Sequence, residues 1–143
     1  VAGFEDIFKN LAGEWGLTRN ISSGEHFTGT ANFTSVSNSA FILIENGELK
    51  TQDGNTITAT REWHWAYAPE SQLTISYNES PLRLYHQLSL NIKNQICCGE
   101  ATHLCTPDTY IGEYEFSENQ IRIEQKISGP KKDYRVRSLF ERY

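Results

Sequence analysis

The segment Ile57-Thr58-Ala59-Thr60-Arg61-Glu62-Trp63-His64-Trp65-Ala66-Tyr67 decides the fold. Side chains alternate across a β-strand, so odd positions share one face and even positions the other. Ile57, Ala59, Arg61, Trp63, Trp65 and Tyr67 share one face, against Thr58, Thr60, Glu62 and His64 on the other. A strand patterned this way has one side on a core and one in water. Its apolar side also carries the guanidinium of Arg61. A buried charge is costly unless it meets an opposite charge, water or a ligand, so the same stretch raises the question of function.

The two-residue period continues on both sides. Runs rich in Thr, Ile, Val, Tyr, Phe and Trp lie near 14–21, 26–36, 40–50, 56–67, 72–77, 82–91, 95–104, 109–117, 120–128 and 133–142. Ser23-Gly24, Asp53-Gly54-Asn55, Pro69-Glu70, Ser80-Pro81 and Gly129-Pro130 punctuate them with turn chemistry. One short helix stands at the start. Phe4, Ile7, Phe8 and Leu11 fall at helical spacing, with Glu5 and Asp6 near its positive end, and Gly13 stops it. About ten strands joined by short turns predict an up-and-down antiparallel meander. A sheet that long curls, and closing it into a barrel removes both exposed edges. The alternative is a two-sheet sandwich with a solid apolar core. Polar groups on the inward face favour the barrel, because barrels of this kind enclose ligands.

A chain of 143 residues has the length of a single domain, and residues 1–143 are read as one. Charged residues at 22% and hydrophobic residues at 38% are ordinary for a globular protein. A net charge of −5 argues against nucleic acid and anionic membranes as partners, since both attract basic surfaces. No apolar run approaches the roughly 18 residues of a membrane helix. Cys97, Cys98 and Cys105 are odd in number, two of them adjacent, and make a poor disulfide framework. Reduced thiols fit a cytoplasmic protein, and a monomer or weak dimer is expected. The chain opens Val1-Ala2-Gly3 and contains no Met, which leaves a trimmed leader open.

Parity sets the expected interior. The first strand points Trp15, Leu17, Arg19 and Ile21 inward; the second Phe27, Gly29, Ala31 and Phe33; the third Phe41, Leu43, Glu45 and Leu49. The sixth run offers Leu82, Leu84, His86, Leu88 and Leu90, an apolar stripe with one His in its middle. Later runs add Tyr110, Gly112, Tyr114 and Phe116, then Ile121, Ile123 and Ile127, then Tyr134, Val136, Ser138, Phe140 and Arg142. The interior thus holds Arg19, Glu45, Arg61, His86, Tyr110, Tyr114, Tyr134, Ser138 and Arg142 amid aromatics. An apolar cavity with a few convergent polar groups describes a small-molecule site.

Leu11-Ala12-Gly13-Glu14-Trp15 resembles the Gly-x-Trp opening of calycins, the superfamily of lipocalins and fatty-acid-binding proteins. In that superfamily the first-strand Trp commonly packs on an Arg of the last strand, a place that Arg142 fits. The chain is more specifically similar to a functionally uncharacterised calycin-like domain-of-unknown-function family. The matching stretches are Leu11 to Arg19, Arg61-Glu62-Trp63-His64-Trp65, His103-Leu104-Cys105-Thr106-Pro107-Asp108-Thr109-Tyr110 and Gly129-Pro130-Lys131-Lys132-Asp133-Tyr134. The resemblance implies a calycin-like barrel and makes an acidic ligand plausible.

The expected function is a barrel holding a partly apolar, anionic small molecule. Arg19 and Arg61 suit a carboxylate or phosphate; their other reading is an internal ion pair with Glu45. His86, His103, Trp63, Tyr110, Tyr114 and Tyr134 complete the candidate ligand contacts. An enzyme is the alternative, with His86 or His103 as general acid/base and an Arg stabilising charge. No catalytic motif is complete, so no catalytic residue is named. His103, Cys105 and Asp108 invite a zinc or Cys–His reading, but no Cys-x-x-Cys or His-x-x-x-His pair supports it. A turn at Thr106-Pro107-Asp108 with Cys105 packed as a small hydrophobe is the plainer reading. The resemblance also keeps a haem-binding barrel in view, with His86 or His103 as axial ligand. The primary reading carries no cofactor and no metal.

Overall fold

A computed structural model describes residues 3–142. A short helix, α1 (Phe4–Lys9), precedes eleven strands: β1 (Gly13–Ile21), β2 (His26–Ser37), β3 (Ala40–Lys50), β4 (Thr56–Ala68), β5 (Gln72–Tyr77), β6 (Arg83–Ser89), β7 (Asn91–Lys93), β8 (Ile96–Cys105), β9 (Asp108–Phe116), β10 (Gln120–Ser128) and β11 (Asp133–Glu141). All lie in one antiparallel sheet, ordered β6-β5-β4-β3-β2-β1-β11-β10-β9-β8-β7. Chain neighbours are sheet neighbours almost throughout. The exception is β6 and β7, which lie at opposite edges of the sheet, while β1 pairs with β11 and joins the two halves of the meander. The sheet curls into a nearly closed barrel, as the strand pattern predicts.

The eleventh strand comes from the region read as two runs, 82–91 and 95–104. There β7 folds back on β8 through a turn in which Asn94 and Gln95 take positive φ of 51° and 67°. Asn tolerates that region better than most residues. The sheet order leaves β6 at one end, with no hydrogen-bonded ladder to β8. Side chains close this seam instead. A Cβ on Gly99 of β8 would stand 2.8 Å from Leu90 Cδ2 and 2.9 Å from Leu88 Cδ1, so glycine lets the β6 side approach.

The other end of the barrel is sealed. Helix α1 buries Phe4 and Phe8, one helical turn apart, and exposes Glu5 and Lys9, which pair at 3.2 Å. Phe8 packs on Phe41 and Tyr67 with ring centroids 4.9 and 5.3 Å apart. Trp15, Phe33, Trp65, Phe116 and Phe140 fill the lumen behind it, all buried. Arg142 lies at this sealed end rather than deep in the barrel. Its Cζ sits 4.2 Å from the centre of the Trp15 ring. Its guanidinium donates to the carbonyls of Ala12 and Asn10, tying the segment before β1 to the end of β11.

The register slips twice, once between Ser35 and Ser37 at the end of β2 and once where it changes the inward face. The β5–β6 register slips between Ile75 and Ser76, so that Ile75 faces His86 while Ser76 faces Leu84. Tyr85 is the extra residue of this bulge. The slip turns Tyr85 inward beside His86, both buried, and puts Leu84 and Leu82 outside at 49% and 47% exposure. The apolar stripe expected from Leu82 onward therefore holds only from His86. Ile57, at the outer end of β4, is also exposed.

Candidate functional site

The turns β1–β2, β3–β4, β5–β6, β8–β9 and β10–β11 gather at the end of the barrel opposite α1. A cavity of about 500 Å³ occupies that half of the lumen. Of the expected ligand contacts, Arg19, Arg61, Trp63, Tyr110 and Tyr134 line it.

Its floor is an ion pair. Arg19 donates from Nη1 and Nη2 to the two carboxylate oxygens of Glu45 at 3.1 and 2.9 Å. Its Nε donates to Ser138 Oγ at 2.7 Å. Glu45 is 3% exposed and Ser138 4%. Arg19 reaches across β2, whose inward residues beyond Phe27 are the small Gly29 and Ala31. The internal pairing weighed for Arg19 is thus the one that forms. Arg19 presents a neutralised bidentate pair to the cavity rather than a free cation. A smaller void of about 30 Å³ lies beyond this pair toward the sealed end, with Tyr114 and Trp65 in its wall.

Arg61 is different. It stands exposed at the rim, its Cζ 5.7 Å from the Trp63 ring. Among the described residues no ion pair engages it. Strand parity puts it inside; the structure has it exposed at the mouth of the cavity it lines.

The two walls differ in kind. The arc from β4 through β6 to β9 is aromatic. Trp63 and Tyr77 stack with centroids 4.9 Å apart, Tyr85 lies 5.2 Å from Trp63, and Tyr110 lies 6.1 Å from Tyr85. The facing arc, from β10 and β11 round to β3, is mainly aliphatic, with Ile127, Val136, Ile21 and Leu49 beside the separate rings of Phe27 and Tyr134. Tyr85 was missed by the sequence reading, because nothing local announces a bulge. Its hydroxyl donates to Gln125 Oε1, and burial pushes its pKa well up. Lys132, on the β10–β11 turn, donates to Tyr110 Oη at 2.9 Å and pairs with Asp108 Oδ2 at 3.2 Å.

His86, His103 and Tyr114 do not line the large cavity. His86 is 1% exposed and spans the seam. Its Nε2 lies 3.2 Å from the Tyr110 carbonyl and its Nδ1 lies 2.6 Å from Tyr114 Oη. A carbonyl only accepts, so Nε2 carries the proton and Nδ1 accepts from the tyrosine. Burial holds the imidazole neutral, with its pKa down to about 4. With its lone pair engaged, this ring does not fit an iron ligand. The cavity's floor is an ion pair, and the other His candidate, His103, packs its ring on Tyr85 and Tyr110. Neither His is placed as a general acid/base toward the large cavity. Among the described residues no cluster of three or more His, Cys, Asp or Glu side chains is arranged for a metal ion. Cys97, Cys98 and Cys105 are free thiols, buried, half-buried and exposed in turn. No helix among the described residues is long and apolar enough to cross a membrane.

No curated protein matches the chain in sequence. Among solved structures it is similar to a redesigned β-barrel, mFAP1, bound to DFHBI. The two are 14% identical over 94% of this chain and 96% of that one, with a TM-score of 0.52. It is also similar to EF1p2_mFAP2b bound to DFHBI, 13% identical over 99% and 100% of the two chains, TM-score 0.55. Rv2717c from M. tuberculosis aligns over 100% of this chain and 99% of its own at 9% identity, with a TM-score of 0.58. At such identities the likeness is one of fold. A family model described as a family of unknown function, DUF6314, matches residues 11–142, and the chain belongs to that family.

Proposed function

We propose that the barrel binds a small, partly apolar, anionic molecule in the half of its lumen opposite α1. The observation that carries this reading is the cavity of about 500 Å³ with the unpaired cation Arg61 at its rim. That volume falls within the roughly 300–1,000 Å³ of small-molecule sites. A side-chain-filled barrel leaves no such space. Two barrels of similar fold are bound to DFHBI, which supports ligand capture as a use of this architecture. The Trp15–Arg142 stack supports the calycin-like reading of the sealed end. Three free thiols support a reducing, cytoplasmic setting. In this reading Arg61 and Tyr110 meet the anionic end, Trp63 and Tyr134 the apolar body, and Arg19 with Glu45 forms a polar floor.

Native mass spectrometry of the purified protein tests the proposal directly. The expected spectrum shows a non-covalent adduct of small-molecule mass that is lost on collisional activation. A bare protein mass that also takes up no hydrophobic anion on titration removes the proposal.

A further inference from the structure

The walls of the cavity narrow the ligand's class. Trp63, Tyr77, Tyr85 and Tyr110 form a continuous aromatic arc, each ring within 6.1 Å of the next by centroid. The facing arc is mixed, with Ile21, Leu49, Ile127 and Val136 beside the separate rings of Phe27 and Tyr134. A saturated chain in this slot gains from burial alone. A planar ring system gains that burial and offset or edge contacts with the arc as well.

The polar end has a built donor. A tyrosine hydroxyl has one proton and two lone pairs. Lys132 Nζ occupies a lone pair of Tyr110 Oη at 2.9 Å. The Tyr110 proton is therefore left to donate elsewhere, and among the described residues it has no acceptor. The cation behind the oxygen draws charge from the O–H bond and strengthens it as a donor. The Tyr110 hydroxyl and Asp108 in turn push the Lys132 pKa up, which keeps the ammonium charged. Tyr85 is unlike Tyr110, since its own proton is spent on Gln125. Arg61 adds a free guanidinium to the lining of the same cavity.

We propose that the cavity selects planar aromatic carboxylates over saturated fatty acids. The ring system lies on the Trp63–Tyr77–Tyr85 wall, and the carboxylate accepts from the Tyr110 hydroxyl and from Arg61. This rests on the ligand-binding reading above and adds the ligand's class to it.

Isothermal titration calorimetry on the full chain with three probes tests it: pyrenecarboxylate, its neutral carboxamide, and dodecanoate. Pyrenecarboxylate is expected to bind about tenfold tighter than either of the others, the gap that one charge-assisted bond or one stacking contact gives. Lys132→Met is expected to cost about tenfold in affinity for the carboxylate and under about twofold for the carboxamide. Lys132→Arg is expected to retain most of the carboxylate's advantage. Trp63→Leu is expected to weaken both pyrene probes and leave dodecanoate unchanged. Dodecanoate binding as tightly as pyrenecarboxylate overturns the aromatic class and leaves the binding reading standing. A Lys132→Met loss equal for carboxylate and carboxamide overturns the role of Tyr110. Failure of all three probes to bind the wild-type protein overturns this inference and the binding reading together.

Discussion

Glu45 faces Arg61 directly across the β3–β4 ladder, yet its carboxylate is held by Arg19, which reaches it from β1 across β2. The choice divides the two guanidiniums by role. Arg19, satisfied on three nitrogens, belongs to the structure. Arg61, which pairs with no carboxylate among the described residues, is the cation that the proposed binding reading gives to a ligand.

Substitutions at these positions should therefore separate stability from binding. Glu45→Ala strands a largely buried guanidinium and is expected to cost about 3 kcal/mol in chemical denaturation. The Arg19→Met/Glu45→Leu pair should cost less than Glu45→Ala alone, because no charge is orphaned. Arg61→Gln should leave the denaturation midpoint unchanged while weakening an anionic ligand about tenfold. A loss of stability in Arg61→Gln equal to that of Glu45→Ala would refute the division.

His86 predicts an acid sensitivity. Its pKa is about 4 in the fold, through burial, against about 6.5 in the unfolded chain. Between these values the unfolded state binds the proton and the folded state does not. Stability from this group is therefore full above pH 6.5, falls as pH drops toward 4, and changes no further below. The total loss is about 3 kcal/mol. Thermal melts from pH 7 to 4 should show the decline, and His86→Gln should flatten it.

Gly112 makes room for the same ring. A Cβ there would stand 2.7 Å from His86 Cε1 and 2.9 Å from Tyr114 Cε1. Both neighbours are buried and hydrogen-bonded to each other, so neither yields cheaply. Gly112→Ala is expected to destabilise by about 1–3 kcal/mol. Combined with His86→Ala, it should cost less than the sum of the two single changes. Strict additivity in urea denaturation would show that the ring is not the obstacle.

Arg142 caps the sealed end. Its cation–π contact with Trp15 and its bonds to two backbone carbonyls should make Arg142→Ala cost about 1–2 kcal/mol. Ligand affinity at the opposite end should not move. A calorimetric titration showing a changed affinity would mean that the two ends are coupled.

The barrel was legible because its evidence is repetitive: alternation along β4 and turn residues at the β1–β2, β3–β4, β4–β5, β5–β6 and β10–β11 connections all point to the same sheet. Trp15 and Arg142 were legible as a pair through resemblance. The site was legible only in part, because parity tells which way a side chain points and not how far along the axis it lies. Arg61 is on the predicted face but reaches the rim. His86 is on the predicted face but lies at the seam, its ring bonded to β9 and not to the cavity. Tyr85 illustrates the other limit. Leu82, Leu84 and His86 alternate cleanly in sequence, and the register slip opposite Ile75 and Ser76 is a property of the pair of strands, not of either one.

The missing ladder between β6 and β8 gives this cylinder a direction of weakness. Elsewhere round the wall, widening means tearing backbone bonds in series; here it means only parting leucines, aromatic rings and the links of His86 to β9. Fluctuations that dilate the lumen should concentrate on this line, and amide exchange along Arg83–Ser89 should run ahead of that in β1. Cargo too broad for the rim would then have a second door, unzipped lengthwise.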